Sequence, residues 1–331
     1  MAGVIAASAF IGGTTGCLDA IDGNDVTVGS SFAMVFDGGK PKTYEYISTT
    51  DTENSPYLIR PDTNGTGKAW RQCNIISGNA TLYITSTGND STGNGTVYAP
   101  WATLGKAISW LADKEILATA IVTISIGAGT FVEAGLITIA GNVFKNVKIV
   151  GAGSSSTTLS WSAAGTGGLL IENTTTLADL KNIKLYGDGT NGNGIAVQRN
   201  AAAYLSADVL VDNFSTGVYV AESSSFFADS ALTSTNHAAK GLIAIYSANA
   251  SIQSCTFSGN GTEGVYSNYN SFINAGSAAS NSNNYGFYAN RNSFIDGTSS
   301  TATGNTVAGW SPAKQTADDP TFANKGSWIY G

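Results

Sequence analysis

Two neighbouring segments of the sequence repeat each other closely. GVYSNYNSFINAG runs from Gly264 to Gly276, and GFYANRNSFIDG runs from Gly286 to Gly297. Both begin with glycine, an apolar residue and tyrosine, and both continue into Asn-Ser-Phe-Ile. Their starts lie 22 residues apart, and a period of this length is typical of chains that are built by stacking similar units.

The glycine that opens each segment belongs to a longer series. Glycines that precede apolar residues lie at Gly194, Gly217, Gly241, Gly264, Gly286 and Gly309, with spacings of 23, 24, 23, 22 and 23 residues. An asparagine precedes five of them, at Asn213, Asn236, Asn260, Asn283 and Asn305. We expect the asparagines to stack at a corner, with His237 beside Asn236, and the glycines to supply a bend or a positive φ after it.

This pattern predicts stacked coils of strands. Apolar and small polar residues alternate between the glycines, as they do in strands with one buried face. At ~3.3 Å per residue, about 23 residues can complete one three-sided coil and return ~4.8 Å higher, beside the previous coil. We expect about seven to nine coils between about Thr119 and Val307. Helical solenoids fit poorly, because Gly, Thr and Asn are weak helix formers.

The segment before the coils predicts a cap. A stack of coils exposes its apolar interior at each end and needs a covering element. In APWATLGKAISWLADK, Pro100 suits the first turn of a helix, and four apolar residues share one helical face: Trp101, Leu104, Ile108 and Leu111. We therefore expect a helix that covers the first coil.

The chain is predicted to consist of four parts. Residues 1–80 lack the repeat and predict a small β-rich module with Asp-Gly and Gly-Gly turns. Residues 81–118 hold a first strand, a loop and the capping helix. Residues 119–309 form the coils. Residues 310–331 end in Trp328-Ile329-Tyr330, a strand that closes the last coil or contacts neighbouring chains.

The segment YITSTGNDSTGNGTVYAPWATLGKAISWL, from Tyr83 to Leu111, resembles the start of pectate-lyase-like right-handed parallel β-helix proteins. In those proteins a strand leads into a loop rich in Gly, Asn and Asp, then a Pro-aromatic-x-Thr-Leu motif and a capping helix. The asparagine column and the rungs of 22 to 24 residues are also similar. The resemblance implies an all-β, right-handed parallel β-helix over Tyr83–Tyr330. It implies no single activity, because this superfamily contains lyases, hydrolases and inactive adhesins.

The first 80 residues carry a second resemblance. The text TTGCLDAIDG, followed by SPYLIRPD and GKAWR, looks like a short module that precedes β-helices in phage tail spikes and tail fibres. The resemblance implies that residues 1–80 attach a homotrimer to tail or capsid proteins of a virion. It also implies that the protein is assembled in the bacterial cytoplasm, is later extracellular as part of the virion, and contacts polysaccharide on the host surface.

Composition narrows the function classes. The formal charge is −7, with a pI near 4.6 and 12% charged residues, which argues against nucleic-acid binding. No apolar run reaches the ~20 residues of a membrane span, and the N-terminal segment is interpreted as mature sequence. Cys17, Cys73 and Cys255 are too far apart for a CxxC metal pair. The sequence predicts no cofactor and no metal site.

Three carboxylates are candidates for catalysis. β-Helix lyases need a base and hydrolases need two or three carboxylates at suitable separation. Asp208 and Asp229 follow equivalent aromatic residues in adjacent coils, and Glu222 is a candidate third member. Solvated corner residues are the alternative interpretation of the same positions.

The tyrosines predict a different kind of site. Tyr246, Tyr266, Tyr269, Tyr285 and Tyr288 lie in successive coils among Asn and Ser, and Arg291 follows them. Such rings can stack on sugar faces while amides and hydroxyls bind sugar hydroxyls; contact with a sister chain is the alternative. The predicted function is therefore a tail spike or fibre that binds a host glycan. A polysaccharide depolymerase and a non-binding structural or decoration protein are the alternatives.

Overall fold

The chain folds as two units, Met1–Ser77 and Gly78–Gly331. A computed structural model describes residues 3–7, 9, 11, 17–37, 40–50, 52, 53, 55, 57–162, 167–312 and 327–330. Within this described part of the chain, the helices are too short or too polar to cross a lipid bilayer.

The first unit contains a mixed sheet of five strands. Its strands are β1 (Gly3–Ala7), β2 (Ser31–Asp37), β3 (Lys40–Ser48), β4 (Leu58–Ile59) and β5 (Lys68–Gln72), in the order β1-β2-β3-β5-β4, and β6 (Ile75–Ile76) follows. Only β1 and β2 pair in parallel. The buried rings of Tyr46 and Trp70 lie 4.9 Å apart in its core. The predicted Gly38-Gly39 turn lies outside the described residues.

The second unit contains 24 strands and one α-helix among the described residues. Its first elements are β7 (Ala80–Ile84), α1 (Leu104–Ala112), β8 (Glu115–Ile116), β9 (Val122–Ile126), β10 (Gly129–Val132), β11 (Ile137–Ala140), a 3-10 helix (Asn142–Asn146), β12 (Val147–Val150), β13 (Thr157–Ser160) and β14 (Leu169–Glu172). Next come β15 (Thr176–Tyr186), β16 (Asn193–Val197), β17 (Ala202–Asp212), β18 (Thr216–Ala221), β19 (Ser225–Phe227), β20 (Leu232–Thr235), β21 (Leu242–Ile245) and β22 (Asn249–Ser251). The last are β23 (Thr256–Ser258), β24 (Glu263–Ser267), β25 (Phe272–Asn274), β26 (Ala279–Asn281), β27 (Tyr285–Ala289), β28 (Phe294–Asp296), β29 (Ala308–Ser311) and β30 (Trp328–Tyr330).

These strands form three faces of a coiled stack. Face A contains β7, β9, β12, the first halves of β15 and β17, and then β19, β22, β25, β28 and β30. Face B contains β10, β13, the second halves of β15 and β17, and then β20, β23 and β26. Face C contains β11, β14, β16, β18, β21, β24, β27 and β29. The chain visits A, B and C in turn, and strands on each face pair in parallel.

The two segments that repeat in the sequence lie on top of each other. Phe272 pairs with Phe294, and Ile273 pairs with Ile295. Both isoleucines are fully buried, whereas the phenylalanines point outward. Like residues therefore stack on like residues, as the repeat predicts, and apolar side chains fill the interior.

The stack is slightly taller than the seven to nine coils expected. Face A alone contains ten strands in the described residues. Strands β7 and β30 extend this face at its two ends. The repeat does not detect them, because a loop and helix follow β7 and a segment without the period precedes β30. The strand at Trp328–Tyr330 pairs with β28 of the same chain.

Helix α1 packs against β7 and β11 at the first coils, and Leu104, Ile108 and Leu111 are buried as predicted. The helix begins at Leu104, however, so the expectation that Pro100 lies in its first turn is wrong. Thr103 is the N-cap and accepts a hydrogen bond from the backbone N–H of Lys106. The buried carboxylate of Glu133 accepts the backbone N–H groups of Leu104 and Gly105 at 2.7 and 3.1 Å, which satisfies donors that a helix start leaves free.

An asparagine ladder runs inside the corner between faces B and C. Oδ1 of Asn283 accepts the backbone N–H and the Nδ2–H of Asn260, at 2.9 and 3.0 Å. Oδ1 of Asn305 accepts the backbone N–H of Asn283 at 2.9 Å. His237 occupies the next place, because its backbone N–H donates to Oδ1 of Asn260 at 3.2 Å.

Two of the predicted members lie outside this ladder. Asn213 and Asn236 precede the ladder position by one residue and have left-handed backbones with φ of 62° and 58°. Asparagine tolerates this conformation well, so the same residue type is used at both adjacent places of the corner. Phe214 and His237 therefore hold the ladder positions that the sequence pattern assigned to Asn213 and Asn236.

The recurring glycines are required for space. Their φ values are not in the left-handed region, so of the two expected roles, a bend or a positive φ, the second is wrong. A Cβ atom on Gly264 would instead collide with Oγ of Ser280 and with Nδ2 of Asn283. The backbone of face C thus passes directly over the ladder, and only glycine fits there.

Candidate functional site

A column of aromatic and apolar residues runs along the outer side of face C. Tyr219 pairs with Ile243, Ile243 with Tyr266, and Tyr266 with Tyr288. The rings of Tyr266 and Tyr288 meet edge to face with centroids 5.3 Å apart, and Tyr285 meets Tyr288 in the same way at 5.2 Å. Three of the predicted tyrosines therefore form one contiguous cluster.

A second column lies at the corner between faces C and A. From the coil that contains β16 onward, its members are Arg199, Glu222, Tyr246, Tyr269 and Arg291, each the first of two consecutive residues with positive φ. Two left-handed residues in succession turn the chain sharply from one face to the next. Equivalent side chains of successive coils thus stand one strand spacing apart, ~4.8 Å. We call these five residues the corner column.

The corner column contains a continuous aromatic stack. The rings of Tyr246 and Tyr269 lie 5.0 Å apart at an interplanar angle of 26°. The guanidinium of Arg291, in the next coil, lies over the ring of Tyr269, 4.3 Å from its centroid. Tyr246 is 50% exposed, so the stack presents its edges and hydroxyls to solvent.

The two columns adjoin each other. Burial raises the pKa of Tyr266, and a hydrogen bond with Asn290 and the nearby charge of Arg291 act in the opposite direction. Burial also raises the pKa of Tyr219, with smaller contributions from Tyr246 and Glu222 of the corner column. The columns therefore share one environment, and we call the combined area the tyrosine surface: Tyr219, Tyr246, Tyr266, Tyr269, Tyr285, Tyr288, Asn290 and Arg291.

The tyrosine surface combines flat rings with hydrogen-bonding groups. The exposed ring edges offer apolar contact to a sugar ring, while the tyrosyl hydroxyls, the amide of Asn290 and the guanidinium of Arg291 can bind hydroxyl or acidic groups. Such a mixture of apolar area and a few directed polar groups is typical of ligand sites.

Tyr219 and Asn290 were missed by the sequence analysis. The signal for Tyr219 was present, because GVY at Gly217 matches GVY at Gly264 and GFY at Gly286. Asn290 carries no such signal, since its role depends on the ring of Tyr266 one coil away.

Asp208 and Asp229 lie at the corner between faces A and B. Asp208 has a φ of 46°, and its carboxylate accepts the backbone N–H and the hydroxyl of Ser154 at 2.8 and 2.6 Å. These hydrogen bonds hold the pKa of Asp208 below its ordinary value. Oδ1 of Asp229 accepts from Oγ of Ser251 and from the backbone N–H of Gln253, at 2.7 and 3.1 Å. Each aspartate thus has its own partners.

Glu222 lies elsewhere. It belongs to the corner column between faces C and A, whereas both aspartates lie at the corner between faces A and B. The structure therefore brings Asp208 and Asp229 to one corner in neighbouring coils and places the third candidate at another. A cleft of about 430 Å³ on face B contains Asp208 together with Ser154 and further hydroxyl residues. Within the described residues, no cluster of His, Cys, Asp or Glu is arranged to hold a metal ion.

Comparison with known families identifies the fold. Residues 167–325 match a family model described as a right handed beta helix region. The chain contains a right-handed parallel β-helix. The match begins just before β14 of this β-helix and extends beyond β29. No curated protein sequence matches the chain significantly.

Solved structures similar to the β-helix include enzymes and a virion protein. Pectate lyase Pel9A is 12% identical with a TM-score of 0.41, covering 74% of this chain and 66% of its own. Pectin methylesterase PemA from Erwinia chrysanthemi is 14% identical with a TM-score of 0.41, covering 67% and 65%. The chain thus spans just under two thirds of the length of these two proteins.

A tailspike is also similar. Tailspike protein gp49 of the Acinetobacter baumannii bacteriophage Fri1, a capsular polysaccharide depolymerase, is 10% identical with a TM-score of 0.21. That similarity covers 99% of this chain and 74% of the tailspike.

Proposed function

We propose that this chain is a homotrimeric tail spike or tail fibre of a bacteriophage, and that it binds polysaccharide on the host surface through the tyrosine surface. The observation that carries the binding proposal is the exposed stack of Tyr246, Tyr269 and Arg291 beside Tyr266 and Tyr288. The virion part of the proposal is supported by the resemblance of residues 1–80 to modules that attach such spikes.

The composition of the tyrosine surface suits a sugar ligand. Ile243, the aliphatic side chain of the face C column, is buried. The accessible part consists of tyrosyl edges and hydroxyls with one amide and one guanidinium. These groups suit a ligand that offers many hydroxyls and flat ring faces.

The binding proposal is tested with the purified full chain and a panel of bacterial capsular polysaccharides. Tyr269→Ala removes the central ring of the stack and is expected to weaken binding by roughly tenfold or more, as for other central aromatic contacts. Tyr98→Ala is the matched control, because Tyr98 is 96% exposed and lies outside the tyrosine surface. Binding that is equally strong in wild type, Tyr269→Ala and Tyr246→Ala would contradict the proposal, and so would absence of binding to the whole panel.

A depolymerase is the second candidate. The cleft that contains Asp208 favours it, because an ionised carboxylate in a groove can act as a base or nucleophile. The hydrogen bonds from Ser154 stabilise the ionised form of Asp208 and lower its pKa, which suits a base or nucleophile better than a general acid. Release of reducing ends or unsaturated products from a bound polysaccharide, lost in Asp208→Asn and Asp229→Asn, would establish cleavage. If the polysaccharide stays intact after prolonged incubation, the chain binds it without cleaving it, and the depolymerase proposal is wrong.

The homotrimer needs a surface that sister chains can share. Face A presents two exposed aromatic stacks, Tyr204 on Phe227 at 4.8 Å and Phe272 on Phe294 at 5.4 Å. Phe272 is 40% exposed, and phenylalanine has no polar group to satisfy. We propose face A as the contact between copies, separate from the tyrosine surface.

A further inference from the structure

Arg291 stands at the end of the aromatic stack, and its guanidinium forms no ion pair within the part of the chain that the structure describes. Its guanidinium is held over the ring of Tyr269, 4.3 Å from the ring centroid. A guanidinium lying on an aromatic face keeps its N–H donors in its own plane, where they remain available to a planar acceptor. The side chain is exposed, so a ligand on the tyrosine surface can reach these donors.

The other cations of this region are already neutralised. Four basic side chains form ion pairs between nitrogen and carboxylate oxygen: Lys181 with Asp179 at 3.5 Å, Lys184 with Asp212 at 2.7 Å, Arg199 with Glu172 at 2.6 Å, and Lys240 with Glu263 at 3.0 Å. Within residues 167–312, all of which the structure describes, Arg291 is the one basic residue without such a pair. It is therefore the local positive charge in a chain whose formal charge is −7.

Arg199 shows what the same position looks like when it is paired. Both arginines are the first left-handed residue of their corner, with φ of 58° for Arg199 and 51° for Arg291. Arg199 contacts Glu172 and lies 3.9 Å from Glu222 of the next coil. The neighbour of Arg291 in the corner column is Tyr269, so its charge is held over a ring, and no carboxylate of the described residues forms an ion pair with it.

We propose that Arg291 determines specificity for an acidic glycan, by binding a carboxylate of a sugar that lies against the exposed edges of the neighbouring tyrosines. This inference rests on the proposed glycan binding and adds the chemical class of the ligand. A guanidinium and a carboxylate form two parallel charge-assisted hydrogen bonds, which a neutral sugar cannot make. The net negative charge of the chain repels polyanions in general, so this recognition depends on the local contact.

The test compares acidic polysaccharides with their neutral counterparts. Each acidic capsular polysaccharide of the panel is used in its native form and after reduction of its carboxyl groups to alcohols. For wild type, carboxyl reduction is expected to weaken binding roughly tenfold, the size of one charged hydrogen-bonding contact. Arg291→Gln is expected to weaken binding of the native form by a similar factor and to show no further loss on reduction. Dextran and dextran sulfate form a second pair that reports on sulfate instead of carboxylate.

Arg199→Gln is the control, since it removes the same side chain from an equivalent corner. It is expected to keep the wild-type preference for the acidic form. A preference that persists in Arg291→Gln, or equal binding of both forms by wild type, overturns the inference. A preference for dextran sulfate over the native acidic polysaccharides assigns the site to sulfate and also overturns the carboxylate assignment.

Failure of this inference differs from failure of the proposed function. If Tyr269→Ala abolishes binding of both forms while Arg291→Gln leaves the acidic preference intact, glycan binding stands and the role of Arg291 is wrong. If no panel member binds, or if the tyrosine variants bind normally, the glycan-binding proposal itself is wrong.

Discussion

The Nδ1 atom of His237 accepts a hydrogen bond from the backbone N–H of Phe214, at 3.1 Å. Its Nε2 atom lies 3.0 Å from Oγ of Ser234, and that hydroxyl donates its proton to the carbonyl of Gly241 at 2.9 Å. Nε2 must therefore carry the imidazole proton, and the ring is neutral. The histidine thus accepts on one side and donates on the other, as an asparagine amide does.

Asn283 shows the same arrangement two coils further along. Its Nδ2 donates to Oγ of Ser280 at 3.3 Å, and Ser280 donates to the carbonyl of Gly286 at 2.6 Å. The ladder therefore selects a side chain by its pattern of donor and acceptor atoms, which both asparagine and neutral histidine provide.

The first prediction is a loss of stability in acid that depends on His237. Protonation would turn Nδ1 into a donor facing the N–H of Phe214, inside the fold. Burial lowers the pKa of His237 to about 4, although nearby Asp212 acts in the opposite direction; that carboxylate is itself paired with Lys184. The unfolded chain takes up this proton near pH 6.5, so the free energy of unfolding should fall by about 3 kcal/mol as pH drops from about 6.5 to 4.

Urea unfolding at several pH values between 7.5 and 4 measures this loss. His237→Asn should flatten the dependence over that range, because asparagine keeps the ladder and does not titrate. His237 is the single histidine of the chain, so the difference between the two proteins isolates its contribution. The same acid dependence in both proteins would show that carboxylates elsewhere cause the effect.

The second prediction concerns the glycine column. Gly264→Ala places a methyl group against Ser280 and Asn283, and overpacking of this kind costs about 1–3 kcal/mol of stability. Gly192→Ala is the control, because a Cβ atom there meets nothing within 4 Å and its φ is not left-handed. Denaturant unfolding of both variants should separate them clearly. Equal stability of the two would contradict the steric explanation for the glycines.

The third prediction concerns the ladder itself. Asn283→Ala removes the acceptor of two hydrogen bonds from Asn260. Because the backbone N–H of Asn260 is then buried without a partner, the expected loss is about 1–3 kcal/mol. Asn249→Ala on an exposed position of β22 should change stability by less than about 0.5 kcal/mol. A loss at Asn283 no larger than at Asn249 would show that the ladder does not stabilise the corner.

The fourth prediction concerns association through face A. Light scattering should give a trimer for wild type. Phe227→Ser with Phe272→Ser removes apolar area from both exposed stacks and should shift the protein toward monomer, because burial of such surface drives association. Tyr98→Ser changes an exposed aromatic residue outside face A and should leave the trimer intact. A monomeric wild-type chain would contradict the trimer, and a trimeric double variant would assign the contact to another face.

Much of the fold could be predicted from spacing. The series of glycines and the repeated Asn-Ser-Phe-Ile segments led to the coils and to the pairing of Phe272 with Phe294. The helix over Leu104–Ala112 followed from its apolar face. The assignment of Asn213 and Asn236 to the ladder failed, because coils of 22 to 24 residues shift by one place at the corner and the adjacent left-handed position also favours asparagine.

The candidate site was predicted less completely. Residue type indicated the tyrosines, but spacing along the chain does not show that Tyr266 and Tyr269 lie in different columns that adjoin. Glu222 was grouped with Asp208 and Asp229, although it lies at another corner. A shift of a few residues along a coil moves a side chain to a different face, so sequence proximity is a poor guide to which carboxylates meet.

The sequence by itself determined the period, the coil architecture and the residues that fill the interior. Stacked coils place like residues above one another, so the same pattern recurs in each repeat. Only the tertiary structure decided what each outward residue contacts. Arg199 and Arg291 share a repeat position and a backbone conformation, yet one meets Glu172 and the other Tyr269. The partner stands one coil away, some 25 residues along the chain, and the repeat leaves that outward position free to vary.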